Sequence, residues 1–229
     1  VISRSFFWGM AGMALVLVLT GCSSPTSTTS TSSPLHTFTF NDLGKVIGST
    51  LMGVSSGTTI ADTSSVLLSD GTVRKYVYVG GVGLKSVTAS VEGVSFNVES
   101  GTRLTDGNVS HEKVVTLNNG DIRLYTGLDS QGGIASYLSS DGLNFTLESG
   151  VRIAASDTGF SQLSHLSVVR LSDGTYRGYF SDLPIPGGGT SHYIKSATSA
   201  DLLTWNVESG TRISLGEQPC AFMHSDGST

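Results

Sequence analysis

One phrase returns about every fifty residues along this chain. Val66-Leu67-Leu68-Ser69-Asp70-Gly71-Thr72-Val73-Arg74 aligns with Val115-Thr116-Leu117-Asn118-Asn119-Gly120-Asp121-Ile122-Arg123 and with Val169-Arg170-Leu171-Ser172-Asp173-Gly174-Thr175-Tyr176-Arg177. It begins again at Met223-His224-Ser225-Asp226-Gly227. A second phrase keeps pace with it: Phe96-Asn97-Val98-Glu99-Ser100-Gly101-Thr102-Arg103, then Phe145 to Arg152, then Trp205 to Arg212. Short apolar runs and turns at such a period are the signature of a radial β array. The chain is therefore expected to be all-β: an incomplete β-propeller of four-stranded antiparallel blades, with about three full blades and parts of another.

Each repeat reads as four β segments. The first is a near-continuous apolar run (Ser65–Leu68, Leu166–Leu171), which predicts burial on both faces near an axis. A Ser-Asp-Gly turn, Asn-Asn-Gly in the second copy, closes a tight hairpin, because Gly and Asn accept positive φ. The second strand alternates, with Val73, Lys75 and Val77 against Arg74, Tyr76 and Tyr78. The third runs over Leu84–Ser90, Ile134–Ser139 or Tyr193–Thr198, and the fourth lies around Phe96, Phe145 or Trp205. The blades fall at about 62–104, 111–153 and 165–213, with a fourth beginning near 218. Residues 50–60 repeat the fourth-strand phrase as Met52-Gly53-Val54-Ser55-Ser56-Gly57 and are expected as an orphan closing strand; the chain reads as a fragment.

The turn before the fourth strand resembles the Asp-box of sialidase-like propellers, in Ser140-Asp141-Gly142-Leu143-Asn144-Phe145 and Ser199-Ala200-Asp201-Leu202-Leu203-Thr204-Trp205. The first blade carries Glu92 in place of the Asp. The resemblance implies a structural role: the Asp caps backbone N–H groups and the aromatic packs between sheets. Arg103, Arg152 and Arg212, one per blade, are framework on the same reading.

The N-terminal 35 residues are not part of the fold. Arg4 and the apolar run from Phe6 to Leu19 read as a secretory signal over residues 1–21. Leu19-Thr20-Gly21-Cys22 resembles the lipobox of bacterial lipoproteins, which implies lipidation at Cys22 and a membrane partner through that anchor. Ser23 after the cysteine points to the outer membrane, so the expected location is the bacterial cell envelope. Residues 22–35 are a Ser/Thr/Pro tether, and residues 36–229 form one partial propeller domain. Charged residues are 14% and the net charge is −5 with no basic cluster, which argues against a nucleic-acid partner. Cys220, the other cysteine, is read as a buried inert thiol in a monomer without internal disulfides.

Inner strands of a propeller begin at one mouth of its channel, so positions just before them converge there. Eight residues before the turn Asp or Asn stand Asp62, His111, His165 and Gln218. Asp62-Thr63-Ser64, followed by Val66 and the Asp70-Gly71 turn, resembles the blade-one opening of five-bladed glycosidases, glycoside hydrolase family 43 and its arabinanase-like relatives. Glu217-Gln218-Pro219 is similar to the family's Glu-Gly-Pro phrase. The resemblance implies Asp62 as general base and Glu217 as general acid. His111 and His165 face the same mouth and, with Gln218, are read as binding substrate, with no metal or cofactor expected; an ion shared by the two histidines with Glu112 is the alternative. Thr63 stands where the family has Pro, and the Asp that tunes the acid has no counterpart at His111 or His165. Residues 184–189, Pro-Ile-Pro-Gly-Gly-Gly, interrupt the third repeat as an irregular hairpin or a rim loop.

Three functions stand open from the sequence. One is a cell-surface glycoside hydrolase using two carboxylates on a polysaccharide or oligosaccharide. Another is a non-catalytic propeller that binds glycans or proteins. The third, sialidase-like hydrolysis, is the weaker, because no arginine triad for a sialic acid carboxylate can be assembled around Arg170.

Overall fold

The computed structural model describes residues 47–90, 95–105, 107, 109, 111–128, 132–182 and 192–222. The leader, the tether with Cys22, the 184–189 insertion and the repeat start at Met223 lie outside the described residues.

Three antiparallel sheets follow one another along the chain. The first contains β1 (Ile60–Leu67), β2 (Val73–Val79) and β3 (Gly83–Ala89), and the outer edge of β3 pairs with both β4 (Phe96–Val98) and β5 (Leu104–Thr105). The second repeats the plan with β6 (Lys113–Thr116), β7 (Ile122–Leu128), β8 (Gly133–Ser139), β9 (Thr146–Leu147) and β10 (Ile153–Ala154). The third does so with β11 (Leu163–Arg170), β12 (Tyr176–Asp182), β13 (Tyr193–Ser199), β14 (Asn206–Val207) and β15 (Ile213–Ser214). These are three blades of a β-propeller, rich in the β-branched and aromatic residues that suit a pleated sheet.

The fourth strand of each blade is broken in two. Between its halves, Gly101, Gly150 and Gly210 take φ of 83°, 80° and 82°, bulging the edge away from the sheet. The bulge turns the preceding glutamate inward. Glu99 receives Arg74 on both oxygens (2.8 Å each) and the Ser86 hydroxyl (2.6 Å); Arg123–Glu148–Ser136 repeats the cluster, and Arg177–Glu208–Ser196 does so more loosely.

The Asp-box turns join one blade to the next. Asp141 Oδ1 accepts from the N–H groups of Leu143 (2.7 Å) and Asn144 (2.8 Å), which holds its carboxyl well below the usual carboxylate range. With its N–H groups satisfied, the turn offers three successive carbonyls to the preceding blade. Arg74 Nη1 donates to Asp141 O (2.7 Å), the Tyr76 hydroxyl to Gly142 O (2.9 Å) and Arg103 Nη1 to Leu143 O (3.2 Å). Blade two grips the Asp201 turn from the same three positions, with Arg123 Nη1 longer at 3.5 Å from Asp201 O and Tyr125 and Arg152 on the next two carbonyls. Phe145 meets Tyr76 edge-on at 5.7 Å and Trp205 meets Tyr125 edge-on at 6.1 Å. Around these pairs, Leu84, Leu104, Val114 and Leu124 fill the first interface, and Ile134, Ile153, Leu166 and Phe180 the second.

Two expectations are corrected. Residues 50–60 form no closing strand: α1 (Ser49–Met52) is one helical turn ended by Gly53 at φ 67°, and strand structure begins only at Ile60. Met52 is buried with Ile47 and Val54 against Val79 and Val87 on the outer face of blade one, so apolar cover takes the place of edge pairing. Second, β1 is not buried on both faces. Its exposure alternates and Leu67 is 64% exposed, whereas β11 is mostly covered.

Candidate active site where the inner strands converge

Asp62, His111, His165 and Gln218 share an unusual backbone: φ is 41°, 51°, 54° and 53°. Non-glycine residues avoid this left-handed region, at a cost of about 1 kcal/mol or more each, so four equivalent instances mark a built feature. The ladder slips at Ala61/Thr63 in blade one and at Ser164/Ser167 in blade three. A bulge at a strand's entry re-aims its side chain. Here all four point to one cavity of about 410 Å³, which Glu112 and Cys220 also line.

The sequence register thus brings Asp62, His111, His165 and Gln218 together. The rings of His111 and His165 lie 3.7 Å apart at 44°. His165 Nδ1 shares hydrogen bonds with the Ser164 (2.7 Å) and Ser181 (3.3 Å) hydroxyls, while Nε2 is buried without a partner. Burial first, then the nearby His111 and His192, push the His165 pKa down to about 4, so the ring is neutral near neutral pH.

Glu217 does not join them. Its side chain is 51% exposed outside the cavity lining, with Oε2 3.3 Å from His192 Nε2. Both residues lie past the end of the last strand, where the chain bends with Gln218 at φ 53°, leaving Gln218 in the cavity lining and Glu217 beside His192. Cys220 is exposed in the cavity wall, correcting the expectation of a buried thiol, because Gln218 to Phe222 runs along the mouth with little above it.

The second carboxyl in the cavity beside Asp62 is Glu112, which the sequence offered only as a possible partner of His111 and His165 around an ion. It is 7% exposed, and neither oxygen has a hydrogen-bond partner. Burial pushes its pKa up to about 9, and the Asp62 charge adds to the rise. A protonated acid beside a carboxylate is an arrangement that supports acid–base work. The available signal was adjacency: a glutamate one residue past a position that breaks the repeat. Among the described residues, no three His, Cys, Asp or Glu side chains are grouped to hold a metal ion.

Three blades whose inner strands begin around a polar, carboxyl-bearing cavity define a β-propeller with an axial site. No protein-family model matches the chain, and no curated protein sequence matches it. Solved structures do match in fold. An endo-arabinase from Bacteroides thetaiotaomicron shares 16% identity at a TM-score of 0.55, over 72% of this chain and 66% of its own. An endo-1,4-beta-xylanase from the same organism shares 11% at 0.56, over 74% and 63%. A thermostable family-43 glycoside hydrolase shares 19% at 0.53, over 72% and 56%. The chain therefore has the propeller fold of these glycosidases and spans about half to two thirds of the length of the structures it matches.

Proposed function

We propose that this protein is a glycoside hydrolase of the cell envelope, held by a lipid on Cys22, which cleaves a polysaccharide or oligosaccharide with two carboxyl groups. The observation that carries the reading is the Asp62–Glu112 pair in one cavity, where burial keeps Glu112 protonated beside Asp62. In this reading Glu112, rather than Glu217, gives its proton to the leaving glycosidic oxygen, which supplies the partner its carboxyl lacks. Asp62 draws the proton from the attacking water or, in a retaining variant, attacks the sugar itself. The neutral His165 and Gln218 bind ring hydroxyls. The solved arabinase and xylanase support the reading at the level of fold.

The test is turnover of nitrophenyl glycosides, arabinan and xylan by the full-length protein, Asp62→Asn, Glu112→Gln and Glu217→Gln. Both cavity substitutions are expected to lower kcat by a factor of about 10²–10⁴. Undiminished activity in Asp62→Asn removes the base. A greater loss in Glu217→Gln than in Glu112→Gln moves the acid to the rim. Glycan binding without turnover of any glycoside makes the protein a binding propeller instead.

A further inference from the structure

Two residues past each left-handed entry, the inner strands carry a second repeated position, and blade two breaks it. In blade one that position is Ser64, whose hydroxyl accepts the Val114 N–H of the next blade at 3.0 Å. In blade three it is Ser167, whose hydroxyl accepts the Ala221 N–H, also at 3.0 Å. A short hydroxyl at this place ties one inner strand to the next. Blade two has Lys113 there, and an ammonium has no lone pair with which to accept. Lys113 cannot make the tie; it sets a cation on the axial cavity instead.

Lys113 opens β6, where backbone pairing with Tyr125 of β7 fixes the root of its side chain. It is half-buried and lines the cavity with Asp62, Glu112 and His165. Among the described residues its ammonium has no ion-pair partner, and the two Glu112 oxygens accept no hydrogen bond from it. Neither an arginine nor a second lysine lines the cavity among those residues. The rest of the wall decides which ligands can use this cation. No Phe, Tyr or Trp lines it among the described residues, so a sugar ring finds no aromatic face to stack on. A neutral sugar held by hydrogen bonds alone gains little, since each bond replaces one made to water. A charge-assisted bond to a partly desolvated ammonium gains more.

We infer that the saccharide taken by this cavity is acidic, and that Lys113 binds its anionic group, a uronic-acid carboxylate or a sulfate ester. An ammonium is a point charge, so it serves a planar carboxylate and a tetrahedral sulfate alike. Asp62 carries the opposing charge in the cavity, and Lys113 offsets it. The inference rests on the glycosidase reading in taking this cavity as the saccharide site. Lys113 acts there on binding and specificity, while Asp62 and Glu112 keep the proton transfers.

The experiment measures equilibrium binding to the full-length protein by calorimetry at low salt, with three pairs of probes. These are oligogalacturonate and glucuronoxylan oligosaccharides, each beside its carboxyl-reduced form, and a sulfated galactan oligosaccharide beside its desulfated form. One acidic probe is expected to bind at least about tenfold more tightly than its neutral partner, and the pair that shows it identifies the anion. The preference is expected to shrink as salt rises. Lys113→Ser, which installs the side chain that blades one and three use here, is expected to abolish the preference, and Lys113→Arg to keep it. Lys113→Gln serves should Lys113→Ser not fold. Equal affinities within every pair overturn the inference, as does binding of no probe, or a preference undiminished in Lys113→Ser. Turnover of neutral nitrophenyl glycosides with equal affinities sinks it and leaves the hydrolase standing. An acid preference lost in Lys113→Ser, without turnover of any probe, upholds it and removes the hydrolase.

Discussion

At the scale of single residues, the site is made by strained backbone and by one desolvated acid. Asp62, His111, His165 and Gln218 were legible because their distance from a turn is fixed by chain register, which repeats locally. Glu112 was legible only as a possible ion partner of the histidines and not as a buried acid, because a glutamate in sequence reads as a solvated charge until its neighbours remove the water. Its protonation makes a prediction about stability. Between its ordinary value of 4.5 and the folded value of about 9, the folded state holds a proton that the unfolded state releases. The associated stability is whole below 4.5 and is lost as pH rises through about 9. Unfolding free energies of the wild type, from urea titrations, are expected to fall across that range, at up to about 1.4 kcal/mol per pH unit. Those of Glu112→Gln are expected to lack this component. A wild-type profile no steeper than that of Glu112→Gln would show that Glu112 titrates normally.

At the scale of elements, the blade is defined by its turns and by close approaches that only glycine permits. The Ser-Asp-Gly hairpins behave as their residues dictate: Asp70 Oδ1 accepts from the Thr72 N–H at 2.9 Å, and Gly71 sits at φ 83°. The split of the outer strand had a visible cause, the Glu-Ser-Gly-x-Arg phrase, since a glycine within a strand pattern marks a bulge. What sequence did not reveal is where strands of different blades touch. A Cβ on Gly127 of β7 would strike the Leu163 carbonyl of β11, so blades two and three meet there backbone to backbone. Gly127→Ala is expected to cost about 1–3 kcal/mol by overpacking. The measurement is chemical denaturation, with Gly71→Ala, which has open space but positive φ, as the comparison for strain alone. A loss at 127 no larger than at 71 would show that the interface yields freely.

At the scale of the whole molecule, the cavity exists only because inner strands from successive blades lie side by side. Its walls come from residues 62–65, 111–113, 165–167 and 218–220, which are far apart in sequence. A ligand bound there bridges every blade at once, so it stabilises the assembly and not one sheet. An oligosaccharide at a hundredfold excess over its Kd is expected to add about 2.7 kcal/mol to unfolding and to raise Tm in a single transition. A Tm that rises equally with Asp62→Trp, which fills the cavity, would place the binding elsewhere. The covered face of blade one also belongs to this scale, since cover is a relation between sheets.

The sequence alone determined the period, the strand-turn alphabet of each blade, the Asp-box caps and the register of the cavity positions. All of these depend on interactions within a few residues, where side-chain spacing and turn chemistry act directly. Only the tertiary structure decided that Glu112 turns in while Glu217 turns out, that Cys220 is exposed, and that residues 49–52 coil into a helical turn against blade one. Those outcomes depend on which surfaces lose water to neighbours about fifty residues away, and desolvation is a property of packed sheets that no local pattern carries.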